Sequence, residues 1–450
     1  MCEHSPQRKR LRSRDVLVIA IPMILSNATV PLVGIADTAI MGQFNDPALI
    51  GGVALGSTIF AMLFWAFGFL RMGTTGLTAQ AVGAGDDAEV AANLYRALFI
   101  AVVAGTLLFA FHAPAILLIL KLTGGSAEVQ TTTGDYFGVR ILSAPATLAN
   151  YALVGWLIGL ARANLALVLQ LFLNVINIAL AILLVLVAGK GVKGAALAAV
   201  FAEYAALLAG LSIARHILGK RQGKRATLFG ARAFRRLIAV NGDIMIRTIC
   251  LMFAFTFFAA QGARLGDVAL AANSVLRSLS DLSAYVLDGF AFAAEVLVGQ
   301  AVGAGSFARF RHAVHLSSIW AAALALAMGL AFWVIGLFLI ELMTTTPSVR
   351  EAAYEFLPWA AMTPVLGVAC FQLDGIFIGA TRTADMRNMM IVSLAVFLAA
   401  WALLTPAFGN HGLWASLMIF YITRAVTLGL RYPALERGIN GSAVNAAARA

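Results

Sequence analysis

The chain has 450 residues, of which 61% are hydrophobic and only 12% charged, against roughly 25% charged in an ordinary soluble domain. The apolar letters fall in continuous blocks of 20 or more, long enough to cross about 30 Å of hydrocarbon as helix. That excludes a soluble globular protein, and the lack of period-two alternation excludes a transmembrane β-barrel. The net charge of +11 would suit nucleic acid, but its distribution along the chain argues for membrane topology instead.

Residues 1–15 form a basic arm carrying Arg8, Lys9, Arg10, Arg12 and Arg14. The apolar run that follows continues through Pro31 without a small-residue cleavage pattern, so it reads as a first span rather than a signal peptide. Twelve spans are expected, at 16–43, 48–81, 97–120, 133–160, 165–188, 192–215, 237–263, 268–301, 313–342, 351–380, 388–408 and 411–432. They divide into an N-terminal six-helix lobe (16–215) and a C-terminal one (237–432), with a basic connector at 216–236 and a frayed cytoplasmic tail at 433–450. With the N-terminus inside, the cytoplasmic loops collect 22 Lys and Arg and the outer loops five. This asymmetry places both termini in the cytoplasm.

The two lobes are copies. Gln80-Ala81-Val82-Gly83-Ala84-Gly85 returns as Gln300-Ala301-Val302-Gly303-Ala304-Gly305, and Gly155, Gly159 and Arg162 return as Gly375, Gly379 and Arg382, all at an offset of 220. A repeat of that length points to symmetric halves related by an axis along the membrane normal.

Charges inside spans are the candidate functional residues, because each costs roughly 2.5–3.5 kcal/mol at mid-bilayer and needs a partner or a wet cavity. Arg140 and Arg424 sit near span ends and are expected to snorkel. Asp243 and Arg247, and likewise Arg277 and Asp281, are four apart and suited to local ion pairs. Asp281, Asp288 and Glu295 recur every seven residues, so they share one helix face that must point into the protein. Asp243, Arg247, Asp288 and Glu295 thus form an expected C-lobe polar cluster, serving either as a structural network or as a proton relay. Asp37 differs: its span holds Pro22 and Pro31 but no basic residue, so an unpaired carboxylate there is a candidate proton site. Asp374, between Gln372 and Gly375 on the tenth span, is a second.

Other chemistries are missing. No phosphate-binding loop occurs, and Gly83 and Gly85 lack the third glycine of a dinucleotide fingerprint. The three cysteines (Cys2, Cys250, Cys370) have no disulfide or metal spacing, and His312 and His315 lie beside Arg309 and Arg311 at a membrane border. No metal site, no cofactor and no catalytic grouping is expected, so a membrane-embedded enzyme is disfavoured.

These residues together resemble the multidrug and toxic compound extrusion (MATE) transporters. The resemblance rests on the two six-helix halves, Asp37 on a proline-bearing first span, and Gln-Ala-x-Gly-Ala closing spans two and eight. The phrases Leu70-Arg71-Met72, Thr74-Thr75-Gly76-Leu77-Thr78-Ala79-Gln80, Asn241-Gly242-Asp243-Ile244-Met245-Ile246-Arg247 and Leu287-Asp288-Gly289-Phe290-Ala291 are similar to its DinF-like branch. The resemblance implies an all-α integral membrane protein and a rocker-switch antiporter of the cell inner membrane. It would export amphipathic, often cationic, organic compounds in exchange for H⁺ or Na⁺, with no nucleic-acid partner, as a monomer. Asp37 would be the coupling residue, with Asn174 and Asn177 on the fifth span; that span's usual second acid is replaced by Ala181. Asp374 matches an acid of the sodium-coupled branch, but the glutamate expected with it on the seventh span has no counterpart near Ile249. Protons are therefore expected as the coupling ion. Substrate is expected against Phe64, Met252, Phe253, Phe257 and Phe290. The alternative is a flippase of lipid or lipid-linked oligosaccharide, which would need a cationic cavity built from Arg71, Arg247 and Arg277.

Overall fold

The computed structural model describes residues 11–29, 34, 36, 39–44, 46–123, 126–219 and 230–447. The described secondary structure is helical: α1 (Ser13–Ala28), α2 (Pro47–Ala66), α3 (Phe69–Ala84), α4 (Asp87–Ala110), α5 (His112–Thr123), α6 (Ala127–Arg140), α7 (Ala144–Gly159), α8 (Ala163–Ala181), α9 (Gly191–Gly219), α10 (Ala231–Arg264), α11 (Asp267–Gly303), α12 (Phe307–Met343), α13 (Pro347–Gly379) and α14 (Thr383–Ala447). Ten stretches among the described residues are long and apolar enough to cross a bilayer. The count reaches twelve because α14 breaks at Gly409 (φ 56°) into two spans, and because α1 opens the run that continues to Met41. A backbone at φ 56° and ψ −130° is open essentially to glycine alone, which has no Cβ to clash, so the break falls there.

Contacts divide the chain into two units: one of Met1–Ile24, Ala79–Gly85 and Leu237–Ala450, the other of Leu25–Thr78 and Asp86–Arg236. The first unit has an aromatic core in which Phe258 meets Trp414 edge-on at 5.1 Å and Phe397 lies 5.5 Å from Phe420. The second is built on close helix crossings in which α4 packs on α7 and α9 on α8. There, Gly105 lies against the backbone of Pro145, and Trp156 donates its indole N–H to the Val90 carbonyl at 2.9 Å.

The offset of 220 is carried by backbone conformation as well as by letters. In α7, Gly155 and Gly159 lie against the carbonyls of Arg71 and Thr75 on α3; in α13, Gly375 and Gly379 lie against those of Ala291 and Glu295 on α11. Every one of these pairs is displaced by 220. Small residues four apart let two membrane helices approach to backbone contact. Both α7 and α13 then end in the same left-handed cap, on Ala161 (φ 58°) and Thr381 (φ 53°). In each, the next N–H returns to the helix, Arg162 to the Leu157 carbonyl and Arg382 to that of Phe377, both at 2.9 Å. This is the hydrogen-bond pattern of a Schellman motif.

The repeated hexapeptides meet one another. Gly83 lies against the Gln300 carbonyl and Gly303 against the Gln80 carbonyl, while Gln80 donates to the Gly379 carbonyl at 2.9 Å. A Cβ at either glycine would enter a backbone carbonyl, which no rotamer change relieves. Gly83→Ala and Gly303→Ala are each expected to cost about 1–3 kcal/mol by overpacking. Gly134→Ala, where a Cβ meets nothing within 4 Å, should cost nothing; thermal midpoints in detergent compare the three.

Two expectations are corrected. Residues 433–447 are not a frayed tail but the continuation of α14. Leu435 and Ile439 are buried, and Glu436 reaches Arg311 at 3.5 Å. The polar letters that read as loop occupy the outer side of a helix whose apolar side packs. At the connector, α10 begins at Ala231 and α9 runs to Gly219; residues 220–229 lie outside the described residues.

Candidate coupling sites

Asp37 lies outside the described residues, but the fifth-span asparagines expected beside it are placed. Asn174 and Asn177 are buried on α8. Asn174 donates to the Thr29 hydroxyl at 2.9 Å and accepts from Gln170 at 3.1 Å, which ties α8 to the chain just after α1. The Asn177 Oδ1 is buried without a hydrogen-bond partner among the described residues, an acceptor held open at cost. Ala181, where the resemblance expects an acid, is fully packed, and α8 then loosens into a π-helical turn at Ile182–Val187.

The C-terminal unit brings three charges of three helices together. Asp374 of α13 accepts from Arg247 of α10 and, at 2.7 Å, from Arg424 of α14, both through Oδ2. All three side chains are buried, Arg424 to 1% exposure. The Arg424 guanidinium sits 5.5 Å from the Phe420 ring and 5.9 Å from that of Phe371, within cation–π range. Arg424 therefore does not snorkel. It looked like a span-end residue only because the span was expected to stop at 432, whereas its helix runs on to Ala447.

The local pair expected between Asp243 and Arg247 does not form. Asp243 instead accepts from Arg387 at 2.6 Å and from the Thr383 hydroxyl at 2.9 Å, leaving Arg247 to Asp374. The other local pair does form, with Arg277 donating to Asp281 at 2.9 Å and stacking 3.7 Å from the Phe255 ring. Glu295 is buried and Asp288 half-buried on α11.

Of the expected substrate contacts, Phe64 and Phe290 are buried in packing, Phe64 stacked 4.3 Å from Phe60, so neither presents surface to a ligand in this structure. Phe257 packs edge-on to Trp401 at 4.8 Å; Met252 is partly exposed and Phe253 exposed.

Arg140 is half-buried on α6. Its Nε and Nη1 are buried without hydrogen-bond partners among the described residues, and it lies 5.0 Å over the Phe60 ring. The α9 that packs against α6 carries the buried Glu203, whose carboxylate accepts from Asn150 at 2.8 Å. As a lone acid in an alanine-rich span, Glu203 offered no partner by spacing. Asn150 and Arg140 reach it only through the packing of three helices.

A duplicated helical membrane protein with buried ion pairs in its spans is the architecture of an ion-driven carrier, and the comparisons agree. The MatE family model matches residues 22–183 and again 243–403. The chain belongs to this family of multi-pass membrane transporters, whose members are not enzymes and are driven by ion gradients without a cofactor.

Within it, the chain is 43% identical to the DNA damage-inducible protein F of Escherichia coli (strain K12), over 91% of this chain and 90% of that one. It is 27% identical to a probable multidrug resistance protein NorM of Agrobacterium fabrum, over 94% of each. Among solved structures, a MATE transporter in a bent conformation aligns at TM-score 0.88 and 17% identity, covering 97% of this chain and 100% of that chain. An outward-facing multidrug resistance MATE transporter aligns at 0.84 and 20% identity, covering 94% and 96%. The fold is thus that of MATE transporters, with twelve transmembrane helices in two bundles.

Proposed function

We propose that this chain is a proton-coupled exporter of amphipathic organic compounds, working by rocker-switch alternating access between lobes at 16–215 and 237–432. It would act as a monomer in the cell inner membrane with both termini in the cytoplasm, as the charge asymmetry of its loops requires, and without a nucleic-acid partner. Coupling is assigned to Asp37, with Asn174 and Asn177 as its amide neighbours.

The observation that carries the choice of ion is Asp374. An alkali-cation site needs several oxygen ligands around an exposed negative charge. Here both guanidiniums bind the carboxylate through Oδ2, and their positive charge repels a third cation from the Oδ1 that has no hydrogen-bond partner among the described residues. The C-lobe acid of the sodium-coupled branch is therefore present as a letter and spent as an ion-pair partner.

In proteoliposomes, a pH gradient alone should drive export of ethidium, a planar organic cation. A Na⁺ gradient alone should not, and sodium-driven export at a comparable rate would sink the assignment. The flippase alternative receives no support, because Arg247 and Arg277 each already bind a carboxylate.

A further inference from the structure

We propose that Glu203 is a second proton-carrying carboxylate of the N-terminal lobe, switching between a neutral state held by Asn150 and an ionised state held by Arg140. This rests on the reading of the chain as a proton-coupled exporter and assigns it a site that neither the first-span aspartate nor the fifth-span pattern supplies.

Glu203 stands near the middle of the 29-residue α9 and is 8% exposed. A carboxylate at that depth needs compensation, yet among the described residues no ion pair joins it to a cation. Its Oε2 accepts from Asn150 Nδ2 at 2.8 Å, and the same Nδ2 donates to the Glu203 carbonyl at 2.9 Å. Thr147 lies one turn before Asn150 on α7, its hydroxyl donating to that of Ser143 at 3.3 Å.

Orphaned atoms on two residues mark the states this arrangement serves. Asn150, itself 5% exposed, leaves its Oδ1 buried with no donor among the described residues. A carboxylate has no hydrogen to give it; a protonated carboxyl does. Arg140, on the α6 that packs against α9, leaves Nε and Nη1 buried with no acceptor among the described residues; an ionised carboxylate supplies one. Buried polar atoms without partners are costly, so each protonation state of Glu203 relieves one orphan group and leaves the other. The site is therefore balanced between two arrangements, and a bound proton biases it towards one.

The groups facing Glu203 are few. Arg140 approaches from α6, and Asn150 and Thr147 from α7, where Tyr151 also lies within reach together with Arg71 of α3. The packed face of α8 carries no ionisable residue. The reaction is a simple proton transfer: an O–H bond forms on the carboxylate when the proton enters and breaks when it leaves on the other side.

The test combines infrared difference spectroscopy on pH cycling with ethidium export from proteoliposomes under a pH gradient. Wild-type protein should show a protonated-carboxyl band that comes and goes with pH, and Glu203→Gln should lose it together with pH-driven export. Glu203→Asp, which keeps the acid at a shorter reach, should retain both with a shifted pH midpoint. An unchanged band in Glu203→Gln overturns the proposal even if export falls, because that pattern is structural damage. Should Glu203→Gln fail to fold, an unshifted band and unshifted export profile in Glu203→Asp overturns it. Failure of wild-type export alone would count against the proton-coupled reading, while the infrared band still decides whether Glu203 titrates.

Discussion

Asp37→Asn should abolish pH-driven export while the protein still inserts and folds. The substitution fixes the side chain in a neutral form, and coupling requires that one site take up and release a proton in turn. Substrate release and proton uptake are linked when each favours a different protonation state of the same site. A site locked in one state shifts no equilibrium in response to a gradient. The amides assigned to it are consistent with this role, since Asn174 donates to Thr29 and the Asn177 Oδ1 has no partner among the described residues. Initial rates of ethidium export, normalised to reconstituted protein, measure the effect. Full-rate export by a normally inserted Asp37→Asn protein would remove Asp37 from the mechanism.

The second large effect concerns stability. Asp374→Ala should destabilise the C-terminal unit by roughly 3–5 kcal/mol, the usual cost of breaking a buried pair and leaving charge uncompensated. Here two guanidiniums lose a shared acceptor at once. Arg247→Met should cost less, because Asp374 keeps Arg424 at 2.7 Å. Replacing all three by apolar residues of similar volume should recover much of the loss, since such replacements are often neutral. Folded yield on size-exclusion chromatography and melting midpoints in detergent rank the variants. If Asp374→Ala instead melts like wild type and loses only transport, Asp374 is a coupling residue after all and the case against sodium falls with it.

These two residues show where the letters speak and where they do not. The glycines that set helix crossings were legible because they recur in register, and the Arg277–Asp281 pair because its partners are one helical turn apart. The Asp374 site was not, since its arginines lie 127 and 50 residues away in sequence. Spacing along one helix reports only local partners, so Asp243 looked paired to Arg247 while each had a better partner across a helix crossing. Arg424 was misjudged for a related reason: its depth depends on where its helix ends, and a helix with one polar side resembles a loop in composition. Glu203 is an acid inside an apolar span, but Asn150 and Arg140 come to it only once α6, α7 and α9 are packed.

The shared register of α7 and α13 has a consequence for how this chain came to be. Their glycines and left-handed caps coincide at an offset of 220, yet the chemistry they carry does not. In that register Asp374 answers to Val154, Arg140 to Ala360 and Asn150 to Cys370. That pattern is what a doubled gene leaves behind: the backbone crossings are common to both copies, while each carries its own ionisable groups. Transplanting the α7 polar set onto α13 should accordingly cost packing only at the substituted side chains, leaving the inherited crossings intact.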